Sequence, residues 1–153
     1  MIDARLLARL LADPSYVAWL KPAHWDAVIS MARAERLDGS LAWRLEGAAL
    51  PSVVKEMLAQ SRANAEASRT SALWEAEMAR RALAPLGIPV ILLKGTAFAA
   101  AGMSAGQGRL IGDLDILVPR QKLGEVEAAL LDAGWEWVKD DPYDQSYYRD
   151  HMH

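Results

Sequence analysis

The chain contains no cysteine. A disulfide framework, a thiolate nucleophile and a cysteine zinc site are therefore all excluded, a composition that suits a reducing compartment. Histidine is scarce, with three residues in 153. There is no Gly-x-Ser-x-Gly elbow, so Ser/His/Asp hydrolase chemistry has no local support. An excess of one charge sign is also missing: 17 Lys and Arg against 20 Asp and Glu leave a formal charge of −3. No whole-protein basic field exists to hold nucleic acid or an anionic membrane, and any phosphate-bearing partner has to be held locally. Long apolar runs are lacking too. The stretch from Ile88 to Leu93, with Pro89 inside it, is far too short to span a bilayer. The Met1–Arg5 start carries an early acid and has none of the basic-then-apolar pattern of a secretory leader. These absences lead us to expect a cytoplasmic protein without a membrane partner. What remains, 52% hydrophobic and 24% charged residues, is the balance of a globular chain with a sizeable core.

The first half is rich in Ala, Leu, Arg and Glu, and its apolar residues recur at helical spacing. Leu6, Leu7, Leu10 and Leu11 form one stripe that stops at Asp13-Pro14. Pro14-Ser15 then opens a short turn carrying Tyr16, Trp19 and Leu20. A further helix buries Trp25, Val28, Ile29 and Ala32, and Asp38-Gly39 is expected to end it. Ser40 to Leu45 reads as a short helix closed by Gly47. From Pro51 to about Ala84 no Pro or Gly interrupts the pattern, which predicts one long helix with Val54, Met57, Leu58, Ala65, Ala72, Met78 and Leu83 along its buried stripe. The small residues between Ser61 and Ser71 would let another element approach it closely.

At Pro85-Leu86-Gly87 the helical period stops and short β-type runs begin. Ile88–Leu93 is expected as a strand, Thr96–Ala101 as a short helix, Gly102–Gly112 as a Gly-rich loop and Asp113–Val118 as a second strand. An amphipathic helix over Gln121–Ala133, capped by Gly134, leads to a third expected strand at Trp135–Val138. The expected fold is thus α+β, with an α/β core: a helical region over 1–84 packed on a small mixed sheet over 85–153.

The chemistry is concentrated in Lys94-Gly95-Thr96, Arg109 and Asp113-Leu114-Asp115. On a strand, Asp113 and Asp115 would share one side about 7 Å apart. Two such carboxylates repel unless a cation sits between them, and Mg²⁺ favours one or two carboxylates completed by water and substrate phosphates. Gly95 would let backbone N–H groups approach a triphosphate. Thr96 is expected to cap the following helix, whose N-terminus favours phosphate oxygens. Lys94 would neutralise phosphate charge, and Arg109 would either do the same or pair with Asp113.

A Gly-Thr turn followed by an Asp-x-Asp strand resembles the nucleotidyltransferase superfamily of the DNA polymerase β type. Leu-Lys-Gly-Thr-Ala at 93–97, Arg109 four residues before the first acid and Asp-Leu-Asp-Ile-Leu-Val-Pro at 113–119 are similar to a narrower bacterial nucleotidyltransferase branch. The resemblance implies a nucleoside triphosphate donor, Mg²⁺ or Mn²⁺ as the metal, Asp113 and Asp115 as catalytic metal ligands, and Gly95 and Thr96 on the phosphates. The acceptor is left open between a protein, a small molecule and a sugar. The alternative is a catalytically degenerate nucleotide-binding or protein-interaction domain. The superfamily places a third carboxylate on a later strand, whereas Asp140, Asp141, Asp144 and Asp150 stand in a polar segment with Pro142. We therefore expect the chain to be part of a longer protein and a poor catalyst alone. His151 and His153 lack partner ligands for zinc, and the six Trp residues are scattered as core packing rather than a base-stacking platform requires.

Overall fold

A computed structural model describes residues 4–137, and these divide between two compact units, each built from two chain segments. The first comprises residues 1–78 and 90–117, the second 79–89 and 118–153.

In the first unit, helices α1 (Ala4–Ala12), α2 (Trp25–Ala34), α3 (Asp38–Arg44) and the N-terminal part of α4 (Ser52–Leu83) surround one apolar core. Leu7 and Leu10 of α1, Trp25, Val28, Ile29 and Ala32 of α2, Leu41 and Ala42 of α3, and Val54 and Leu58 of α4 are all buried in it. Leu7/Leu10, Trp25/Val28/Ile29/Ala32 and Val54/Leu58 recur at helical spacing, and Leu45, just past α3, stands four residues from Leu41 and three from Ala42, so one face of each helix supplies the core. Pro14–Trp19 forms a 3-10 turn whose start is fixed by Asp13, which accepts from the Ser15 N–H at 3.0 Å and the Ser15 hydroxyl at 2.7 Å. Trp19 itself points outward, at 78% exposure. Arg44 of α3 donates to the Leu11 and Ala12 carbonyls, both at 2.8 Å, and so satisfies two acceptors that the end of α1 leaves without helical partners.

Helix α4 runs for 32 residues, about 48 Å at 1.5 Å per residue. Its buried positions in the first unit are Val54, Leu58, Ser61, Ala65 and Ala72, of which Ser61 and Ala65 belong to the small-residue stretch, Ser61 to Ser71, expected to admit a close neighbour. Two elements use it. Gly39 of α3 packs backbone to backbone on Gly108, and a Cβ on Gly39 would also come within 2.9 Å of the Ala65 Cβ. Ser68 binds the chain at Ile111: its hydroxyl donates to the Ile111 carbonyl (2.9 Å) and accepts from the Ile111 N–H (2.8 Å).

The Gly39 contact corrects one reading of the sequence. Asp38-Gly39 does not end α2; it opens α3, and α2 instead ends with Arg36 in the left-handed conformation at φ 56°. The Leu37 N–H reaches back to the Ala32 carbonyl at 2.7 Å, the six-to-one bond of a Schellman ending. Glycine is placed where backbone must touch backbone, and the left-handed position falls to an arginine.

The sheet of the first unit pairs β1 (Ile91–Leu92) with β2 (Ile116–Leu117) antiparallel, Ile91 opposite Leu117 and Leu92 opposite Ile116. Both strands are shorter than expected. Pro89 has no N–H to give a ladder, which limits β1 at its start. At the other end one further bond, Leu93 N–H to the Asp115 carbonyl at 2.9 Å, continues the register. Lys94 then turns left-handed at φ 49° and leads the chain into α5 (Lys94–Ala100). Asp113 consequently lies beyond the last paired residue.

In the second unit, the last residues of α4 (Ala79 and Leu83 buried) lead through the Ala84–Leu86 turn to Gly87 at φ 62°. Helix α6 (Leu123–Asp132) buries Val126 and ends at Gly134, φ 98°. The Trp135 N–H closes this cap on the Leu130 carbonyl at 3.0 Å. Trp135–Trp137, expected to start a third strand, is not in a ladder, because the Trp135 N–H that would pair is held by the helix end. Val138, the four C-terminal aspartates, His151 and His153 lie outside the described residues. Among the described residues the fold is α+β with a two-stranded antiparallel sheet rather than a mixed one. No helix among them is long and apolar enough to cross a membrane.

Candidate functional site

All six residues singled out by sequence lie in the first unit, around the point where β1 becomes α5 and the chain returns into β2. Lys94 is the pivot. Its left-handed backbone is uncommon for a residue with a side chain and costs about 1–2 kcal/mol. Its ammonium donates to the Asp115 carboxylate at 2.9 Å. That hydrogen bond, followed by the charge attraction of Asp115 and more weakly of Asp113, holds the Lys94 ammonium above its ordinary pKa. The lysine thus senses both acids, as a cation placed by two neighbouring carboxylates must. Asp115 is partly enclosed, its side chain 27% exposed, while Lys94 is 68% exposed; Asp113 is exposed.

Gly95 and Thr96 form the first turn of α5 and are buried. A Cβ on Gly95 would stand 3.4 Å from Arg109 Nε and 3.4 Å from Ile111 Cγ1, an ordinary contact, so the position is tight without being closed. The expectation that Thr96 caps α5 is not met. Leu93 occupies the cap position without a side-chain bond, and the Thr96 hydroxyl, in a residue only 1% exposed, donates to the Asp113 carbonyl at 3.3 Å. The helix begins at Lys94, two residues earlier than the pattern indicates, which places Thr96 inside it. Its hydroxyl therefore ties α5 to the segment carrying the acids. The first backbone bond of α5 runs from the Ala97 N–H to the Leu93 carbonyl, so the N–H groups of Lys94, Gly95 and Thr96 precede the helical ladder.

Arg109 is exposed and, among the described residues, makes no ion pair with Asp113. Arg109 and Asp113 instead line a cleft of about 680 Å³ together with Arg36, Ser40, Leu110 and Gly112. The volume suits a small-molecule site. Asp113 and Asp115 fit a hard divalent cation by donor chemistry, since Mg²⁺ or Mn²⁺ takes carboxylate oxygens and keeps other positions for water and phosphate. Among the described residues no group of three or more His, Asp or Glu side chains is placed to hold a metal ion.

Sequence reasoning missed three contributors. Arg36 and Ser40 come from the helical half, far from the motif in the chain, and no local pattern marks them. Ser68 left a faint signal: it is a polar residue at helical spacing between the buried Ala65 and Ala72, where an apolar residue would be expected.

No curated protein and no solved structure matches the chain. A family described as uncharacterised nucleotidyltransferase matches residues 21–153, a span that includes helices α2, α3 and α4 as well as the Lys94–Asp115 constellation. The chain belongs to this nucleotidyltransferase family.

Proposed function

We propose that the protein transfers a nucleoside monophosphate from a nucleoside triphosphate to an acceptor hydroxyl, with Asp113 and Asp115 holding Mg²⁺ or Mn²⁺. The observation that carries this reading is that Asp113 lines a cleft together with Arg109, while Asp115, two residues further on, binds the Lys94 ammonium at 2.9 Å. In the reaction the acceptor hydroxyl oxygen bonds to the α-phosphorus and gives up its proton to water, the bond from that phosphorus to the bridging oxygen breaks, and pyrophosphate leaves with the electron pair. The metal, when bound, supplies Lewis-acid stabilisation of the charge on these oxygens.

The chain's own groups position the reactants. Arg109 and Lys94 neutralise phosphate charge, Arg109 with the fork geometry that matches phosphate oxygens. The N–H groups of Gly95 and Thr96 at the start of α5 offer donors to the same oxygens. The Thr96 hydroxyl and Ser68 keep the acid-bearing segment in register. In-line geometry obtained this way accounts for much of the rate enhancement such a site can supply.

A second reading, nucleotide or partner binding without turnover, is favoured by the Lys94–Asp115 ion pair, which puts a resident cation on one of the two acids. Thermal shift with Mg²⁺ and each of the four nucleoside triphosphates tests both readings: stabilisation is expected for the wild type and is expected to be lost in Asp113→Asn with Asp115→Asn. Metal-dependent pyrophosphate release with protein, sugar and small-molecule acceptors then separates transfer from binding. Stabilisation that persists in the double variant would count against the assignment of the acids.

A further inference from the structure

We propose that the helical half is part of the nucleotide site, and that Arg36 holds the β- and γ-phosphates of the bound nucleoside triphosphate across the cleft from Arg109. The inference rests on the nucleotidyl-transfer reading and extends it to a residue 58 positions before Lys94, where the motif begins. Three observations converge on Arg36.

It lines the same cleft as Arg109, Asp113, Ser40 and Gly112. Its guanidinium, like that of Arg109, has no ion pair or hydrogen bond with another side chain among the described residues. Two unpaired guanidinium groups on one concave surface are a site for a multiply charged anion, because each can give parallel N–H bonds to two phosphate oxygens. The acids of the cleft are Asp113, assigned to the metal, and Glu35, adjacent to Arg36. Asp113 would hold the metal of a bound triphosphate, and the two arginines would neutralise its phosphate charge.

The third observation is the backbone. Arg36 stands at φ 56°, in the helix-ending position that glycine occupies without penalty. The glycine of this turn is three residues further on, where its lack of a Cβ is required against Gly108. An arginine therefore stands in the left-handed position and lines the cleft with its side chain. Lys94, the other non-glycine residue with positive φ among the described residues, is likewise a cation of the candidate site, where it pairs with Asp115. Strain of this kind clusters at functional positions.

Arg36→Gly separates binding from folding, because glycine suits the backbone there. The variant is expected to melt within about 3 °C of the wild type or above it. The whole chain would be titrated by calorimetry with the Mg²⁺ complexes of ATP, GTP, CTP and UTP, and with the corresponding monophosphates. For the triphosphate that binds most tightly, Arg36→Gly is expected to weaken affinity about tenfold to a hundredfold, and Arg36→Lys less. The monophosphate, lacking the distal phosphates, should change less than about twofold. Equal losses for triphosphate and monophosphate would overturn the assignment to the distal phosphates. Unchanged triphosphate affinity in Arg36→Gly, with affinity lost in Asp113→Asn and Asp115→Asn, would overturn the role of Arg36 and leave the nucleotidyl-transfer reading standing. A wild-type chain that binds none of the four triphosphates would overturn both.

Discussion

Replacing Ser68 by alanine sets two effects of opposite sign against each other. Alanine is the better helix former by about 0.5 kcal/mol, so a serine that merely faced solvent on α4 would give a slightly more stable variant. Ser68 instead makes both a donor and an acceptor bond to Ile111, at 2.9 and 2.8 Å in a partly buried setting. Its removal leaves the Ile111 N–H and carbonyl with no partner on α4, at a cost of about 1–3 kcal/mol. The net loss is centred near 1.5 kcal/mol, or a fall in Tm of about 3–6 °C for a chain of this size. The effect should be local as well as global. By hydrogen exchange the Ile111 amide, protected in the wild type, should exchange much faster in Ser68→Ala, and the loosened segment from Arg109 to Asp113 should weaken nucleotide binding. A Tm that rises, with Ile111 still protected, would refute the claim that α4 holds this segment through Ser68.

Gly108 combines a left-handed backbone, φ 66°, with direct contact on the Gly39 carbonyl, and a Cβ there would lie 2.7 Å from the Ser40 N. Gly108→Ala is therefore expected to cost more than about 3 kcal/mol and to lower Tm by more than about 6 °C; a fall under about 2 °C in calorimetry would mean that the loop yields easily. Asp13 gives a pH signature. Its bonds to the Ser15 hydroxyl and N–H hold its carboxyl below the ordinary value of 3.8. Its contribution to stability is thus present above that value and lost as pH falls through the lower folded pKa. Asp13→Asn should show a smaller acid-side loss of Tm between about pH 5 and 2, and superimposable pH profiles would contradict the linkage.

The helical half was legible because its signals are local. The stripes of α1 and α2, the unbroken run that becomes α4, and the glycine endings at Gly87 and Gly134 each depend on residues within one or two turns of each other. The cluster of Lys94, Gly95, Thr96, Arg109, Asp113 and Asp115 could also be picked out, since motif residues concentrate in two short stretches of sequence. What each does locally was less legible. Thr96 fell inside α5 rather than at its cap because the chain turns at Lys94, and a left-handed lysine has no pattern to announce it. Asp113 lies beyond the paired residues because the ladder stops at the same turn.

By itself the sequence determined the helical periodicity, the change of architecture after Leu86 and which acidic, basic and small residues share the Lys94–Asp115 stretch, all of which follow from side-chain chemistry and spacing along the chain. Only the tertiary structure decided that Gly39 is a packing surface for Gly108, that Ser68 on a distant helix fastens the acid-bearing segment, and that Arg36 faces the cleft. Those outcomes depend on which backbones approach within van der Waals distance once the apolar faces are buried, a long-range condition that no local pattern encodes.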